Sequence, residues 1–207
     1  MSKMWTVFAL LGLAMGIAVA AAPVGWAQDT KVPSPQADDR FLGKADAPVT
    51  IYEYASLDCP HCADFEQNTL PKLKADWIDT GKARLVFRDF PLRPDATRAA
   101  ILARCAPSDQ FFAFVDALFQ SQATWAVASN VDAELAKLAR LSGMSDEKFK
   151  ACMSDSAIEK QVLASRLQGE QYGISSTPTF FVNGTKIEGA LPLPAFEKAL
   201  TAAANKS

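Results

Sequence analysis

Two cysteines separated by two residues have the types and spacing to do chemistry in this chain. Cys59 and Cys62 flank Pro60 and His61 in the stretch DCPHC, and His61 is the only histidine among the 207 residues. A CxxC pair can exchange disulfides with other thiols, supply half of a zinc site or form an inert disulfide. The question is which of these uses the rest of the sequence supports.

The zinc and inert-disulfide alternatives have less support. A structural zinc site takes four ligands, often from two CxxC pairs, and the remaining cysteines, Cys105 and Cys152, form no second CxxC. A metal- or haem-delivery protein would need further soft ligands, and the sequence has no Met-rich segment and no second histidine. We therefore predict a redox pair and no metal site.

The elements around the pair favour a reactive thiolate. APVTIYEYASL (47–57) is typical of a strand, Asp58 ends it, and Pro60 suits the first turn of a helix. Cys59 would then lie at a helix N-terminus, where backbone N–H groups and the helix dipole stabilise a thiolate. A protonated His61 would add positive charge. Stabilising the reduced form makes the disulfide a stronger oxidant.

The N-terminus predicts export. Lys3 precedes an uncharged, largely apolar run from Met4 to about Ala22, and small residues flank Trp26. We predict a signal peptide over residues 1–27, cleaved after Ala27, and a flexible leader over 28–40. A retained membrane anchor is the alternative. Export would place the cysteines in an oxidising compartment, and the net charge of −2 gives no basic patch for nucleic acid.

The remaining chain predicts an α/β fold with a helical interruption. A second strand is expected at 83–92, four or five helices over 95–172, a hairpin at 177–189 turning at Asn183-Gly184, and a last helix in PAFEKALTAAA. Asn130 or Asp132 can start one helix, Ser145 can cap the next, and Pro71 should kink the helix after the CxxC.

CPHC after YEYASLD, ARLVFRDFPL and the later STPTFFVNG together resemble the DsbA family of bacterial thiol–disulfide oxidoreductases. The resemblance covers about residues 41–200. It implies a thioredoxin-like domain over 41–94 and 173–207, with an inserted helical domain over 95–172.

The resemblance also implies roles for the CxxC residues. Cys59 matches the family's exposed nucleophile and Cys62 its buried resolving cysteine. Pro60 and His61 match the dipeptide that tunes the redox couple.

Three further site residues come from the same resemblance. Pro178 matches a cis-proline that faces the active site, and Thr177 precedes it, where the best-known members have Val. Glu53 matches a buried acid that takes part in proton transfer.

The second cysteine pair is a departure from the best-known members. Cys105 and Cys152 fall on apolar faces of the predicted helical block, and some family members carry a bond there. We predict a structural disulfide between them, with two buried free thiols as the alternative.

The resulting expectation is a periplasmic oxidase that donates the Cys59–Cys62 disulfide to reduced secreted proteins. It would need no cofactor beyond that disulfide. The resemblance implies reoxidation by a DsbB-like membrane quinone oxidoreductase, and we expect a monomer. The alternative is a periplasmic reductase or isomerase kept reduced by a membrane electron donor; isomerases of this kind commonly carry a dimerisation domain, for which residues 28–40 are too short.

Overall fold

The computed structural model describes Met1 and residues 32–206. The predicted signal peptide and its cleavage site therefore lie outside the described residues. In the part of the chain that is described, no helix combines the length and apolar character needed to cross a bilayer.

A mixed sheet of five strands forms the centre of the described chain. The strands run in the spatial order β1-β3-β2-β4-β5, with β2 parallel to β3 and the other pairs antiparallel. Their bounds are β1 Arg40–Leu42, β2 Val49–Ala55, β3 Ala83–Asp89, β4 Thr179–Val182 and β5 Thr185–Glu188. The two strands expected at 47–57 and 83–92 are thus present. The short β1 has no counterpart in the sequence prediction.

The hairpin expected at 177–189 forms between β4 and β5. Asn183 and Gly184 occupy its turn with φ values of 41° and 92°. Positive φ at both central residues of a two-residue turn is the conformation that Asn-Gly favours. This hairpin brings the segment containing Thr177 and Pro178 next to β2, because β4 pairs with β2.

The helix after the CxxC begins at Pro60 and is interrupted by wider turns. It consists of α1 (Pro60–Asp64), a π-helical turn (Phe65–Thr69), α2 (Leu70–Leu73) and a second π-helical turn (Lys74–Ile78). Pro71 lies at the start of α2. Since proline has no N–H to donate, the regular hydrogen-bond ladder cannot run through it, which agrees with the predicted break.

The inserted block is helical throughout. Residues 94–171, all of which the structure describes, contain six helices rather than the expected four or five, because a short helix, α5, follows α4. The bounds are α3 Pro94–Arg104, α4 Phe111–Gln120, α5 Gln122–Trp125, α6 Val131–Leu141, α7 Asp146–Met153 and α8 Ser156–Gln171. Asn130 caps α6 and Ser145 caps α7, each accepting a backbone N–H. The chain continues to α9 at Leu193–Ala204.

The insertion shares a core with the CxxC rather than forming a separate unit. Cys59, Cys62 and Phe87 of the sheet side belong to the same buried cluster as Phe111 and Trp125 of the insertion. A second core lies on the same face of the sheet, because Phe87 and Phe180 both pair in register with Glu53. Three of its aromatic rings pack at tilted or perpendicular angles, with centroids 4.5 Å apart for Phe65–Phe180 and 4.8 Å apart for Phe180–Phe196. The fold class predicted from sequence, a thioredoxin-like domain with a helical insertion, is confirmed.

The predicted flexible leader differs from the structure over its described part. Residues 28–31 lie outside the described residues, but Arg88 donates to the Asp39 carboxylate at 2.5 and 2.9 Å and to the Ser34 carbonyl at 2.9 Å. Arg104 donates to the Asp38 carbonyl at 3.1 Å. Both arginines are buried, and a buried guanidinium requires partners. The segment from Ser34 onward is therefore packed on the domain, and Arg40 already belongs to β1.

Candidate active site

Cys59 lies at the junction between β2 and α1. It is the N-cap of α1 in an extended conformation, with Pro60 in the first turn. Its own N–H donates to the Ser56 carbonyl at 3.0 Å, which closes the turn between strand and helix. This placement brings the backbone N–H groups of His61 and Cys62 close to the Cys59 side chain.

The Cys59 sulfur is surrounded by groups that favour a thiolate. The Cys62 thiol donates to it and lowers its pKa most, while burial acts in the opposite direction. Thr177 and the backbone N–H groups of Cys62 and His61 lower the pKa further, so that it reaches about 5. A thiol with this pKa is almost fully ionised at neutral pH.

The accessibility of Cys59 is lower than predicted. The sequence resemblance implies an exposed nucleophile, but only 6% of Cys59 is accessible to solvent. The segment with Thr177 covers it: the Thr177 carbonyl oxygen is 3.3 Å from the Cys59 sulfur. Cys59 is nevertheless the more accessible member of the pair, since Cys62 has no accessible surface.

Cys62 has the opposite electrostatic character. Burial raises its pKa well above the usual thiol value, and its hydrogen bond to Cys59, the charge of Cys59 and the charge of Glu53 act in the same direction. Both cysteines are free thiols in this structure. The site therefore combines one thiol that ionises readily with one that holds its proton.

Thr177 and Pro178 face this pair from the segment immediately before β4. The Thr177–Pro178 peptide bond is cis. The Thr177 side chain is buried against Cys59 and favours its thiolate. The structure thus brings the two residues next to Cys59, more than a hundred positions away in the chain.

The two residues between the cysteines are both exposed at the start of α1. Pro60 provides the helix start. His61 contributes its backbone N–H to the environment of Cys59. A role for its imidazole charge stays a prediction.

Glu53 lies on β2 beneath the cysteines. It has no accessible surface, and neither carboxylate oxygen has a hydrogen-bond partner among the described residues. Burial, followed by the charge of Glu66, raises its pKa well above the usual carboxyl value. A buried acid with a raised pKa that interacts electrostatically with the Cys62 thiol is suited to proton transfer.

Glu66 is a site residue that the sequence prediction missed. It is 8% accessible, and burial, followed by the charge of Asp116, raises its pKa to about 8. It lines a cavity of about 310 Å³ together with Asp116 and Leu70. Its position four residues after Cys62, on the same face of the helix, is a sequence signal that could have identified it.

The turn before Cys59 is held by a second network. Arg93 donates to the Asp58 carboxylate at 2.5 Å, the Ser56 hydroxyl donates to the same carboxylate, and the Leu92 N–H donates to the Ser56 hydroxyl. Asp58 is buried, whereas Arg93 is largely exposed. This network fixes the end of β2 and the start of the insertion to each other.

Cys105 and Cys152 are joined by a disulfide with a sulfur–sulfur distance of 1.98 Å. The bond connects the end of α3 to α7 within the insertion, and it is not part of the Cys59 site. Among the described residues, no group of three or more His, Cys, Asp or Glu side chains could hold a metal ion.

This chain is similar in sequence to thioredoxin-like proteins that are named for disulfide chemistry. The family model described as Thioredoxin matches residues 36–202. A Rickettsia bellii protein, named as a candidate protein-disulfide oxidoreductase, is 34% identical over 153 residues, which are 73% of this chain but only 59% of that relative. The disulfide bond formation protein D of Bacillus subtilis is 30% identical over 160 residues, 71% of this chain and 68% of that protein.

A solved structure matches a larger share of this chain than these two relatives do. The crystal structure of α-DsbA1 from Wolbachia pipientis matches with a TM-score of 0.77 and 32% identity, covering 83% of this chain and 94% of that one. BdbD from Bacillus subtilis matches with a TM-score of 0.72 at 24% identity, a likeness in fold.

Proposed function

This chain belongs to the DsbA family of thioredoxin-like proteins, and from that membership we propose that it is a thiol–disulfide oxidoreductase that oxidises other proteins. The observation that carries the proposal is the asymmetry of the cysteine pair: the pKa of Cys59 is lowered to about 5, whereas that of Cys62 is raised. A stabilised Cys59 thiolate favours the reduced state, so the Cys59–Cys62 disulfide tends to pass to other thiols.

In the first step, a substrate thiolate attacks the sulfur of Cys59 in the Cys59–Cys62 disulfide. The Cys59–Cys62 bond breaks, a mixed disulfide forms at Cys59, and Cys62 leaves with the electron pair and takes up a proton. Glu53, which is buried and has a raised pKa, is the acid we assign to that proton transfer.

In the second step, another thiolate of the same substrate attacks the substrate sulfur of the mixed disulfide. Cys59 leaves as a thiolate, which its surroundings stabilise. Two electrons have then passed from the substrate to the protein, and the substrate holds a new disulfide. Thr177 and Pro178 border this reaction, and we propose that the backbone of their segment aligns a substrate strand.

The setting of this reaction is part of the proposal. Residues 1–27 have the pattern of an export signal, so we place the protein in the periplasm, acting on reduced secreted proteins. The redox-active group is the cysteine pair, and we propose no further cofactor. Returning the pair to the disulfide requires an oxidant, for which we propose a DsbB-like, quinone-linked membrane protein.

Equilibration of the Cys59–Cys62 pair with glutathione tests the direction of the reaction. We expect a strongly oxidising couple; a value near that of thioredoxin, about −270 mV, would instead support a reductase. Cys59→Ala should abolish oxidation of a reduced peptide, while Cys105→Ala with Cys152→Ala should retain it. The reverse pattern would assign the chemistry to the other pair.

A further inference from the structure

Gln122 connects the helical insertion to the turn that carries Cys59. Its side-chain Nε2 donates to the carbonyl oxygen of Leu57 at 2.7 Å and to that of Cys59 at 3.0 Å. The residue is 9% accessible and lies at the start of α5. It is therefore a buried amide whose two donors both serve the backbone of the active-site turn.

The Cys59 carbonyl has a particular importance in this turn. It accepts the N–H of Cys62 at 3.1 Å and that of Ala63 at 3.2 Å, which are the first hydrogen bonds of α1. Pro60 has no N–H, so the first backbone donors after Cys59 belong to His61 and Cys62. The orientation of the Cys59 carbonyl consequently determines how these donors face the Cys59 sulfur.

The Leu57 carbonyl is the second backbone group in this turn that needs the Gln122 amide as a donor. Leu57 is 2% accessible, and a buried carbonyl that loses its donor is unfavourable. Arg93 and Ser56 hold Asp58, the residue between the two carbonyls, from another direction. Gln122 completes this restraint from the insertion.

We propose that Gln122 is a positioning residue through which the helical insertion holds the Cys59 turn in the geometry that stabilises the Cys59 thiolate. The proposal rests on the redox function of the Cys59–Cys62 pair. It gives the insertion a direct part in setting the reactivity of the pair, through one side chain. The backbone N–H groups of Cys62 and His61, which lower the pKa of Cys59, are the groups this restraint orients.

The test replaces Gln122 with Met, which has a similar length and no N–H donor. In the full chain, the Cys59 thiolate is titrated by its absorbance at 240 nm, and the pair is equilibrated with glutathione. We expect the titration midpoint to move towards the value of an ordinary thiol. The equilibrium constant should become less oxidising by about three- to tenfold, the effect of weakening one or two hydrogen bonds.

Gln67→Met is the matched control. The Gln67 amide also donates to a backbone carbonyl of the insertion, that of Phe119 at 3.4 Å, but no hydrogen bond of the described chain joins it to the Cys59 turn. This variant should titrate as the wild type does. An equal shift in both variants would mean that any loosening of the insertion has the effect, and it would overturn the specific role of Gln122.

Two further results decide the proposal. If Gln122→Met lowers the melting temperature but leaves the titration and the glutathione equilibrium unchanged, Gln122 only packs and the proposal is overturned. If that variant does not fold, Gln122→Asn keeps the amide but withdraws it by one methylene, and the same shift is expected there. The Cys59 titration needs no substrate, so failure of the proposed oxidase activity would be seen separately.

Discussion

Replacing Glu66 with Gln should stabilise this protein at neutral pH. Glu66 lies in the first π-helical turn, four residues after Cys62, and is 8% accessible. Its carboxyl group faces a cavity that Asp116 also lines. Gln has nearly the same shape but cannot ionise, so the substitution removes the charge with little change in packing.

The pH dependence of stability follows from the direction in which folding shifts the pKa of Glu66. Burial and the charge of Asp116 raise the pKa of Glu66 from 4.5 to about 8. Because the folded protein holds the proton more tightly than the unfolded chain, stability is greatest below about pH 4.5 and decreases as the pH rises to about 8. At about 1.4 kcal/mol per pKa unit, the cost is roughly 3 kcal/mol at pH 7 and nearly 5 kcal/mol above pH 8.

Urea unfolding of the wild type and of Glu66→Gln at several pH values between 4 and 8 measures this loss of stability. We expect equal free energies of unfolding near pH 4 and a variant that is about 3 kcal/mol more stable at pH 7. Glu159→Gln, at an exposed position on α8, is the control and should show no such divergence. A stability difference that does not change with pH, or a less stable variant at pH 7, would refute the reasoning.

Three other predictions concern the Cys59–Cys62 pair, the Cys105–Cys152 disulfide and the contact between Gly169 and Phe90. In the reduced protein, Cys59 should titrate near pH 5 and be alkylated before Cys62 at pH 7; equal rates at the two thiols would contradict the asymmetry. Replacing Cys105 and Cys152 with Ala removes a bond that spans 47 residues and should cost about 4 kcal/mol in urea unfolding in the chain-entropy model; an unchanged stability would argue against it. Gly169→Ala would place a Cβ 2.8 Å from the Phe90 ring and should cost about 1–3 kcal/mol, whereas a neutral effect in thermal unfolding would show that the ring can move.

Much of the fold could be predicted because its signals are local. The strand before Cys59, the helix start at Pro60 and the Asn183-Gly184 turn each depend on residues within a few positions of one another. The caps at Asn130 and Ser145 are local in the same way. The short β1 was missed because three residues carry too little pattern, and because its pairing with β3 is not visible in its own sequence.

The leader shows how a local pattern can mislead. Residues 34–39 are mostly polar and contain Pro35, which is typical of a flexible segment. In the folded chain, Asp39 pairs with buried Arg88, and the Asp38 carbonyl accepts from Arg104. The need of two buried arginines for partners fixes the segment, and that need arises only when the sheet and α3 come together.

The active site likewise has features that local sequence predicts and features that only the packed chain produces. The sequence by itself determined the chemistry: two thiols at CxxC spacing, a helix start that favours a thiolate, and a family pattern that names Thr177, Pro178 and Glu53. Those signals lie in residue type, short-range spacing and resemblance, which a linear chain displays.

Only the tertiary structure decided how those groups act on one another. It placed the Thr177 carbonyl 3.3 Å from the Cys59 sulfur, buried Glu53 near Glu66, and brought the Gln122 amide to the Cys59 turn. Burial and distance set a pKa or a hydrogen bond, and both are properties of the packed chain. Residues far apart in sequence reach these distances and this burial only when the sheet, the CxxC helix and the insertion pack around Cys59 and Cys62.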